Sequence, residues 1–463
     1  MNRSKGRVSL ASIGHTMKRK DFIRDIVQFC SRAGATAAEV LVREGGEFST
    51  TVRLGAVEKL SQASFHKVGV RLFRGNRSAL FASSDLSLAG IRRLVLDALA
   101  MASAAGEDSF AGLPEAADYK HSGPLPATCF TSAVGLSVDD RIVLARQCEE
   151  AALSCDARVS NSEGATFANS ITHFAYGNSL GIEGEYSKSQ NSLSVISLAE
   201  SEGRKQRDYW LSTHPDFAML LKPEEVGKRA ASRTLRRLGA RKLPTCAVPV
   251  LFDPLASASL LKHIATAASG TALLRKASFL TDRLGCRIAS PLVTIVDDAI
   301  LEGGLGSRAF DCEGVPSRKT VVVRKGVLES YLLDAYAARR LEMHTTGNSD
   351  RELQSGPSSG PSNFYIEPGQ SSPDDLISSV RKGLLVTELI GFGVDTVSGN
   401  YSQGAFGIWI ENGCLTYPVE EITIAGNLRE MLTSIEAVGN DPERQDEVFA
   451  PSLLIGKMVV SGS

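Results

Sequence analysis

The sequence has no long apolar run, no closely paired cysteines and no histidine pair at helical spacing. No segment approaches the roughly 18 consecutive apolar residues of a membrane-spanning helix, and the basic N-terminus lacks the apolar core of a signal peptide. The eight cysteines include no C-x-x-C pair, and none of the seven histidines recur at i, i+4. These absences predict a cytoplasmic protein with reduced thiols, without a structural zinc site and without membrane contact.

The chain also lacks a charge excess of either sign. Lys and Arg total 51 and Asp and Glu total 52, which gives a net charge of −1. Such a balance provides no overall attraction to nucleic acid or to an anionic membrane, so we expect no direct nucleic-acid partner. Hydrophobic residues make up 43% of the chain, enough for sizeable cores.

The length and the element pattern predict an α+β fold with two domains, because 463 residues exceed what one simple core usually holds. Residues 18–220 are predicted to form an N-terminal mixed α/β layer, and 221–244 a connecting helix and linker. Residues 245–463 are predicted to form an antiparallel, strand-rich domain around the helix that carries His263. Residues 1–17 are expected to be a mobile extension.

Local signals place several elements in the N-terminal half. Apolar residues at helical spacing predict an amphipathic helix over 18–33, ended by Gly34. Three short strands are then predicted from "AAEVLVRE", "EFSTTVRL" and "HKVGVRLF". Each carries β-branched and aromatic residues, which favour strands.

Turn and cap signals are clearer in the C-terminal half. Asp253 is suited to cap the helix that contains His263, and Pro254 suits its first position. Asn412-Gly413 between apolar runs is a strong hairpin signal, and a second hairpin is predicted at Lys325-Gly326.

A long polar loop, "HTTGNSDRELQSGPSSGPSN", spans 344–363. Loops of this length inside a compact domain are usually functional or disordered. The loop contains "GPSSG", which matches G-x-S-x-G with Ser358 as the nucleophile. That motif requires a strand-turn-helix context, and neither flank predicts one, so we interpret the match as coincidental.

The segment "VTELIGFGVDTVSGNYSQGAFGIWIENGCLTYPVEEITIAGNLREM" resembles the TldD/PmbA family, and within it the PmbA branch, also called TldE. "GTALLRKASFL" and the hairpin "VVVRKGVLESYLLD" are similar to the family as well. The resemblance is dense over most of 245–440 and weaker in the N-terminal half. It implies a subunit of a heterodimeric TldD–TldE metalloprotease.

In the TldD branch, an H-E-x-x-x-H helix and a cysteine near the C-terminal end hold the metal. The resemblance places that helix on "KHIATAASG" in one of two registers. With His263 first, Ile264 replaces the glutamate and Ala268 the second histidine. With Lys262 first, His263 replaces the glutamate and Ala267 the second histidine. The last segment has no cysteine, so we expect no catalytic residue, no metal site and no cofactor in this chain, with zinc in a TldD-like partner.

The resemblance implies substrates that are peptides or unfolded polypeptides. Candidate residues of a substrate or partner groove lie on the metal-site helix, in the polar loop and in "GNYSQG". They are His263, Gly347, Asn348, Ser358, Asn363, Tyr401, Ser402 and Gly404. For the residues of the polar loop and of "GNYSQG", an ordinary surface turn is an equally good explanation.

Two other functions remain open from the sequence. The family's older label, modulator of DNA gyrase, implies a regulatory protein-binding module without peptidase activity. A free-standing hydrolase with unrecognised chemistry is the third possibility. We also expect a homodimer in isolation, because the apolar strands "AFGIWIENG" and "LLVTEL" would need cover from a homologous subunit.

Overall fold

The computed structural model describes residues 19–120 and 124–462. The extension predicted at 1–17 lies outside the described residues. The mixed α+β class is confirmed, and three sheets account for most of the regular structure. None of the helices in the described ranges is long and apolar enough to cross a membrane.

The described part of the N-terminal half contains six strands and four α-helices. In chain order they are α1 (Arg19–Arg32), β1 (Ala37–Arg53), β2 (Ala56–Arg74), β3 (Arg77–Ser83), α2 (Leu88–Ala104), α3 (Val138–Leu153), β4 (Val159–Asn178), β5 (Glu183–Ser201), β6 (Arg204–His214) and α4 (Pro223–Leu235). The strands form one antiparallel sheet in the order β3-β2-β1-β4-β5-β6. Helix α1 matches the predicted span within one residue at each end.

All four helices cover the same face of this sheet. Helices α1 and α2 pack on residues such as Val40 and Val70, while α3 and α4 pack on residues such as Phe48 and Val195. Because successive side chains of a strand alternate between faces, the opposite face carries Glu39 and Ser49 on β1, Ser170 on β4, Ser192 on β5 and Leu211 on β6. We call this opposite side the inner face.

The prediction of three separate short strands was wrong for the first two. They form the single 17-residue strand β1, which continues through Gly45 and Gly46 and pairs on both sides. The glycines suggested a break, but they serve close packing instead. A Cβ on Gly45 would lie 2.5 Å from the carbonyl oxygen of Ile171 and 2.8 Å from the Phe65 ring, so only glycine fits there.

The C-terminal half contains eleven strands and five helices among the described residues. In chain order they are β7 (Cys246–Phe252), α5 (Pro254–Ala267), α6 (Gly270–Leu274), β8 (Ile295–Asp298), β9 (Lys319–Arg324), β10 (Val327–Leu328), α7 (Ala335–Arg340), β11 (Phe364–Ile366), α8 (Pro373–Ser379), β12 (Lys382–Ile390), β13 (Asn400–Glu411), β14 (Cys414–Asn427), α9 (Leu428–Thr433), β15 (Ile435–Val438), β16 (Val448–Phe449) and β17 (Leu453–Gly462).

These strands form a closed barrel and a smaller sheet. The strand order around the barrel is β14-β13-β12-β7-β17, and pairing of β14 with β17 closes it. Strand β15 pairs with β17 but is not part of the closed ring. The smaller sheet has the order β10-β9-β8-β11-β16. Pairs β7–β12 and β11–β16 are parallel and the other described pairs are antiparallel, so the domain is mainly antiparallel as predicted.

Barrel closure corrects one step of the sequence argument. The segments "AFGIWIENG" and "LLVTEL" lie on β13 and β12, which are paired on both sides within the chain. Trp409 and Ile410 on β13, and Leu384 on β12, are buried. These strands therefore need no cover from a second subunit, because closing a sheet removes its edges.

The predicted cap and both predicted hairpins are confirmed. The Asp253 carboxylate accepts a hydrogen bond of 2.9 Å from the Ala256 amide, and Pro254 occupies the first turn of α5. Asn412 and Gly413 have φ values of 50° and 75°, and Lys325 and Gly326 have 45° and 84°. Two consecutive left-handed residues are what a two-residue hairpin requires.

Four buried charges join the inner face to the C-terminal half, and we call them the buried quartet: Glu39, Arg71, Glu313 and Arg351. Arg71 lies 2.8 Å from Glu39 and donates a 2.8 Å hydrogen bond to Glu313, and Arg351 donates one of 2.6 Å to Glu39. All four are at most 7% exposed. Glu313 also accepts from the Ala335 amide at the start of α7, at 2.9 Å.

The pKa values of the two carboxyl groups of the quartet are shifted in opposite directions. Burial alone would raise the pKa of Glu39, but Arg71 and Arg351 together hold it below its ordinary value. For Glu313, burial raises the pKa more than the positive charge of Arg71 lowers it. The negative charges of Asp311 and Asp334 raise it further, so the pKa of Glu313 is about 7. A proton on Glu313 is therefore favoured by folding.

The raised pKa of Glu313 predicts a pH-dependent stability. The contribution of protonated Glu313 to the free energy of unfolding is fully present below the ordinary glutamate pKa of 4.5 and is lost as the pH rises through about 7. The loss amounts to at most about 3 kcal/mol. The variant Glu313→Gln removes this titration. We expect the free energy of unfolding of the variant, measured in urea, to decline less between pH 5 and pH 7.5 than that of the wild type.

Glu342→Gln, at an exposed position, is the matched control and should keep the wild-type pH profile. Equal slopes for the Glu313→Gln variant and the wild type would contradict the assignment of this titration to Glu313.

Candidate functional site

The eight predicted groove residues fall into two groups in the structure. Gly347, Asn348, Ser358 and Asn363 lie in the loop between α7 and β11. His263 lies near the C-terminal end of α5, and Tyr401, Ser402 and Gly404 lie at the start of β13. The two groups are described in turn.

The polar loop is ordered, and its polar side chains are used within the chain. Asn348 donates hydrogen bonds to Asp297 Oδ2 at 2.7 Å and to the Gly360 carbonyl at 3.0 Å. Asn363 donates to the Asp298 carbonyl at 2.6 Å and accepts from the Gly306 amide at 2.7 Å. Both asparagines are at most 1% exposed, so their amides serve to fix the loop on β8.

Gly347 is buried in the same loop, with a left-handed φ of 73°. Ser358 is half-buried, and its carbonyl accepts from the Asp350 amide at 2.8 Å. No strand or helix adjoins Ser358 on either side. The strand-turn-helix context that G-x-S-x-G catalysis needs is therefore not present around it.

His263 and Tyr401 meet between α5 and the barrel. Their rings make an edge-to-face contact with centroids 6.4 Å apart and an interplanar angle of 81°. Burial lowers the pKa of His263 and raises that of Tyr401. The Tyr401 hydroxyl has no hydrogen-bond partner among the described residues. Beside it, Ser402 is exposed and Gly404 is half-buried. The structure therefore brings His263 and the start of β13 together.

The residues around His263 do not fit a catalytic zinc ion. Ile264, Ala267 and Ala268, which stand in the ligand and base positions of either register, have 0% exposure and lie in the main core. Within residues 19–120 and 124–462, no three His, Cys, Asp or Glu side chains are grouped as a metal site would need. One imidazole falls short of the three protein ligands of a typical catalytic zinc.

Another face of α5 lines a cleft that the sequence reasoning missed. Leu255, Ser259 and Lys262 recur on this face at helical spacing, and they lie opposite Tyr209 and Leu211 of β6. The cleft has a volume of about 350 Å³. The sequence reasoning considered only His263 on this helix and so missed the cleft. The i, i+4, i+7 spacing of Leu255, Ser259 and Lys262 already indicated that they share one helix face.

The inner face continues away from the cleft as a polar wall. Ser49 on β1 lies opposite Ser61 on one side and Ala168 on the other, and Ala168 lies opposite Ser192. Glu47, Ser170 and Gln190 form the next row, and together these rows line a depression of about 380 Å³. Hydroxyl and amide side chains, together with Glu47 and Lys59, therefore cover a sheet surface that no described helix covers.

Family models match almost the whole described chain in three consecutive segments. The model for PmbA/TldA metallopeptidase domain 1 matches residues 38–102, and that for the central domain matches 133–238. The model for the C-terminal domain matches 245–462. The first two segments share the N-terminal sheet, and the third contains the barrel, α5 and the polar loop.

Individual relatives agree with these models. The chain is 36% identical over 425 residues to a protein named metalloprotease PmbA from Escherichia coli O157:H7, covering 92% of each chain. A solved structure from Bacteroides thetaiotaomicron, named as a candidate modulator of DNA gyrase, has a TM-score of 0.89 at 29% identity and covers 97% of this chain and 100% of that one.

TldE from Thermococcus kodakarensis shares the fold, with a TM-score of 0.86 at 22% identity over 95% of this chain and 100% of that one. The three consecutive domain matches and the full-length similarity to PmbA identify the family independently of any single motif. This chain belongs to the PmbA/TldD family of metallopeptidases.

Proposed function

We propose that this chain is the TldE-type subunit of a cytoplasmic two-chain metallopeptidase that acts on peptides or unfolded polypeptides. A TldD-like partner would hold the zinc ion and perform the hydrolysis. The observation that carries this proposal is the composition of α5, where a single imidazole stands among buried Ile264, Ala267 and Ala268.

Metal-binding side chains could not replace the apolar side chains of α5 without disrupting the core. Ile264 and Ala268 pack with barrel and loop residues, including Phe252 and Leu333. Polar ligands at these positions would have to be buried, at a cost of several kcal/mol each unless the metal compensated. The role left to this chain is to bind substrate and to complete the partner's chamber.

The inner face suits an unfolded polypeptide. An extended chain presents one backbone donor and one acceptor per residue, and Ser49, Ser61, Ser170, Gln190 and Ser192 offer both kinds of group along the polar wall. Short side chains also leave the wall open to bulky substrate residues. This supports binding without strong sequence selection along the wall.

The proposal predicts that peptidase activity requires two chains. The isolated chain should bind no stoichiometric zinc, and a mixture with a TldD-type chain should hold about one zinc per pair and cleave unfolded polypeptides. Elemental analysis and a fluorescent casein assay measure both quantities. His263→Ala in this chain should leave the zinc content of the mixture unchanged, because His263 is not a ligand in this account.

One tightly bound zinc in the isolated chain, lost in His263→Ala, would contradict the proposal. Cleavage by the isolated chain at the rate of the mixture would contradict it as well.

We also propose that the isolated chain forms a homodimer, through a surface different from the strands first considered. The loop between β12 and β13 exposes Phe392 completely, with Ile390 58% and Val397 52% exposed. Such an apolar tip is costly in water. A copy of this chain would cover it in isolation, and a TldD-like chain would replace that copy.

Light scattering at micromolar concentration should give twice the chain mass for the wild type. Phe392→Asp should shift the mass toward that of a monomer, while Leu96→Asp, at a 54% exposed position on α2, should not. A wild-type monomer mass unchanged on concentration would contradict the homodimer.

A regulatory protein-binding role is the second candidate function. It is favoured by the similarity to the Bacteroides protein named for DNA gyrase. The balanced charge of the chain argues for contact with a protein rather than with DNA. Purification from the native cell separates the two roles, since the first requires a TldD-like partner and the second a gyrase complex.

A further inference from the structure

The cleft beside α5 combines apolar walls with charged groups at its floor and rim. Leu211, Leu255 and Leu389 line it from β6, α5 and β12, and the side chain of Tyr209 is 42% exposed there. Its charged lining residues are Asp208, Arg233, Lys262, Glu388, Glu443 and Asp446. Four carboxylates therefore face two cations in the lining.

Most of these charges are already paired. Arg233 lies at the floor, 3.3 Å from Asp208 and 3.4 Å from Asp253, and it donates to the Thr387 carbonyl at 3.1 Å. Lys262 lies 2.6 Å from Asp446, and Glu388 lies 2.5 Å from Arg237 behind the lining. These pairs leave little charge for a ligand.

Among the carboxylates that line the cleft, Glu443 has the longest closest ion pair. Its nearest cation is Arg229, at 3.5 Å, and Arg229 lies nearer to Glu225, at 2.7 Å. Burial, opposed by Arg229 and reinforced by Asp441, raises the pKa of Glu443. The Glu443 carboxylate would therefore stabilise a second cation placed beside it, because Arg229 compensates its negative charge only in part.

A second, independent feature of the cleft is an unpaired hydroxyl. Thr387 lines the cleft, is 2% exposed, and its Oγ1 has no hydrogen-bond partner among the described residues. It lies at an irregularity of β12, where the pairing with β13 shifts register between Val386 and Glu388. A buried polar atom of this kind is costly unless something bonds to it.

We propose that this cleft binds the side chain of an arginine or lysine in the polypeptide substrate. The leucine walls would hold the methylene stem, and the Tyr209 ring would lie against the cation. Glu443 would pair with the charge, and Thr387 Oγ1 would accept one of its hydrogen bonds. The inference rests on the proposed function, to which it adds a basic residue as the anchor of the substrate.

The test uses binding to the isolated chain, so that it does not depend on a partner or on hydrolysis. Acetylated and amidated pentapeptides, Ala-Ala-X-Ala-Ala, carry arginine, lysine, citrulline or norleucine at X. We expect calorimetry to show that the arginine and lysine peptides bind at least about tenfold more tightly than citrulline and norleucine, respectively. Whichever of the arginine and lysine peptides binds more tightly identifies the preferred basic residue.

Two variants localise the binding. Glu443→Gln should weaken the arginine and lysine peptides about tenfold and leave the norleucine peptide unchanged. Thr387→Val keeps the shape of the side chain and should weaken the basic peptides by a smaller factor. Glu342→Gln, which is exposed and is not a lining residue of the cleft, is the control, and unchanged melting temperatures show that the variants fold.

Equal affinities for arginine and citrulline peptides would overturn the inference, as would the absence of binding by every peptide. Tight binding of basic peptides that Glu443→Gln does not weaken would also overturn it, because the site would lie elsewhere. Inactivity of the chain mixed with a TldD-type subunit would instead count against the proposed function and leave this binding result intact.

Discussion

The relation between the two halves of the molecule depends on the buried quartet. Glu39 and Arg71 lie on the inner face of the N-terminal sheet, while Glu313 and Arg351 belong to loops of the C-terminal half. Charges removed from water are tolerated only with close, well-directed partners. Tyr176 provides one more, donating to Glu39 at 2.9 Å, so the arrangement specifies a single docking position.

That position determines what the rest of the inner face can do. The quartet occupies one end of the face, the polar wall continues along it, and Leu211 on β6 reaches the cleft beside α5. If the four helices were divided between both faces of the N-terminal sheet, this open inner surface would not exist. Helix α5, which the family resemblance aligns with the metal-binding helix of the TldD branch, contributes core residues, His263 and one wall of the cleft.

The sequence was most informative where local rules decide the structure. The cap at Asp253, the hairpin at Asn412-Gly413 and the extent of α1 follow from backbone preferences of single residues. Local rules failed at Gly45, where packing between strands made glycine continue a strand, and at the barrel, whose closure joins β14 to β17 across distant sequence. The cleft and the quartet were missed because their members are brought together only by tertiary contacts.

The quartet holds the inner face against the C-terminal half as one coupled unit. A double-mutant cycle on Glu39→Gln and Arg71→Met, read from the free energy of unfolding in urea, measures this coupling. Each single change should cost about 3 kcal/mol or more, and the double variant should lose at least about 2 kcal/mol less than their sum. Additive losses, with a coupling below about 0.5 kcal/mol, would contradict it.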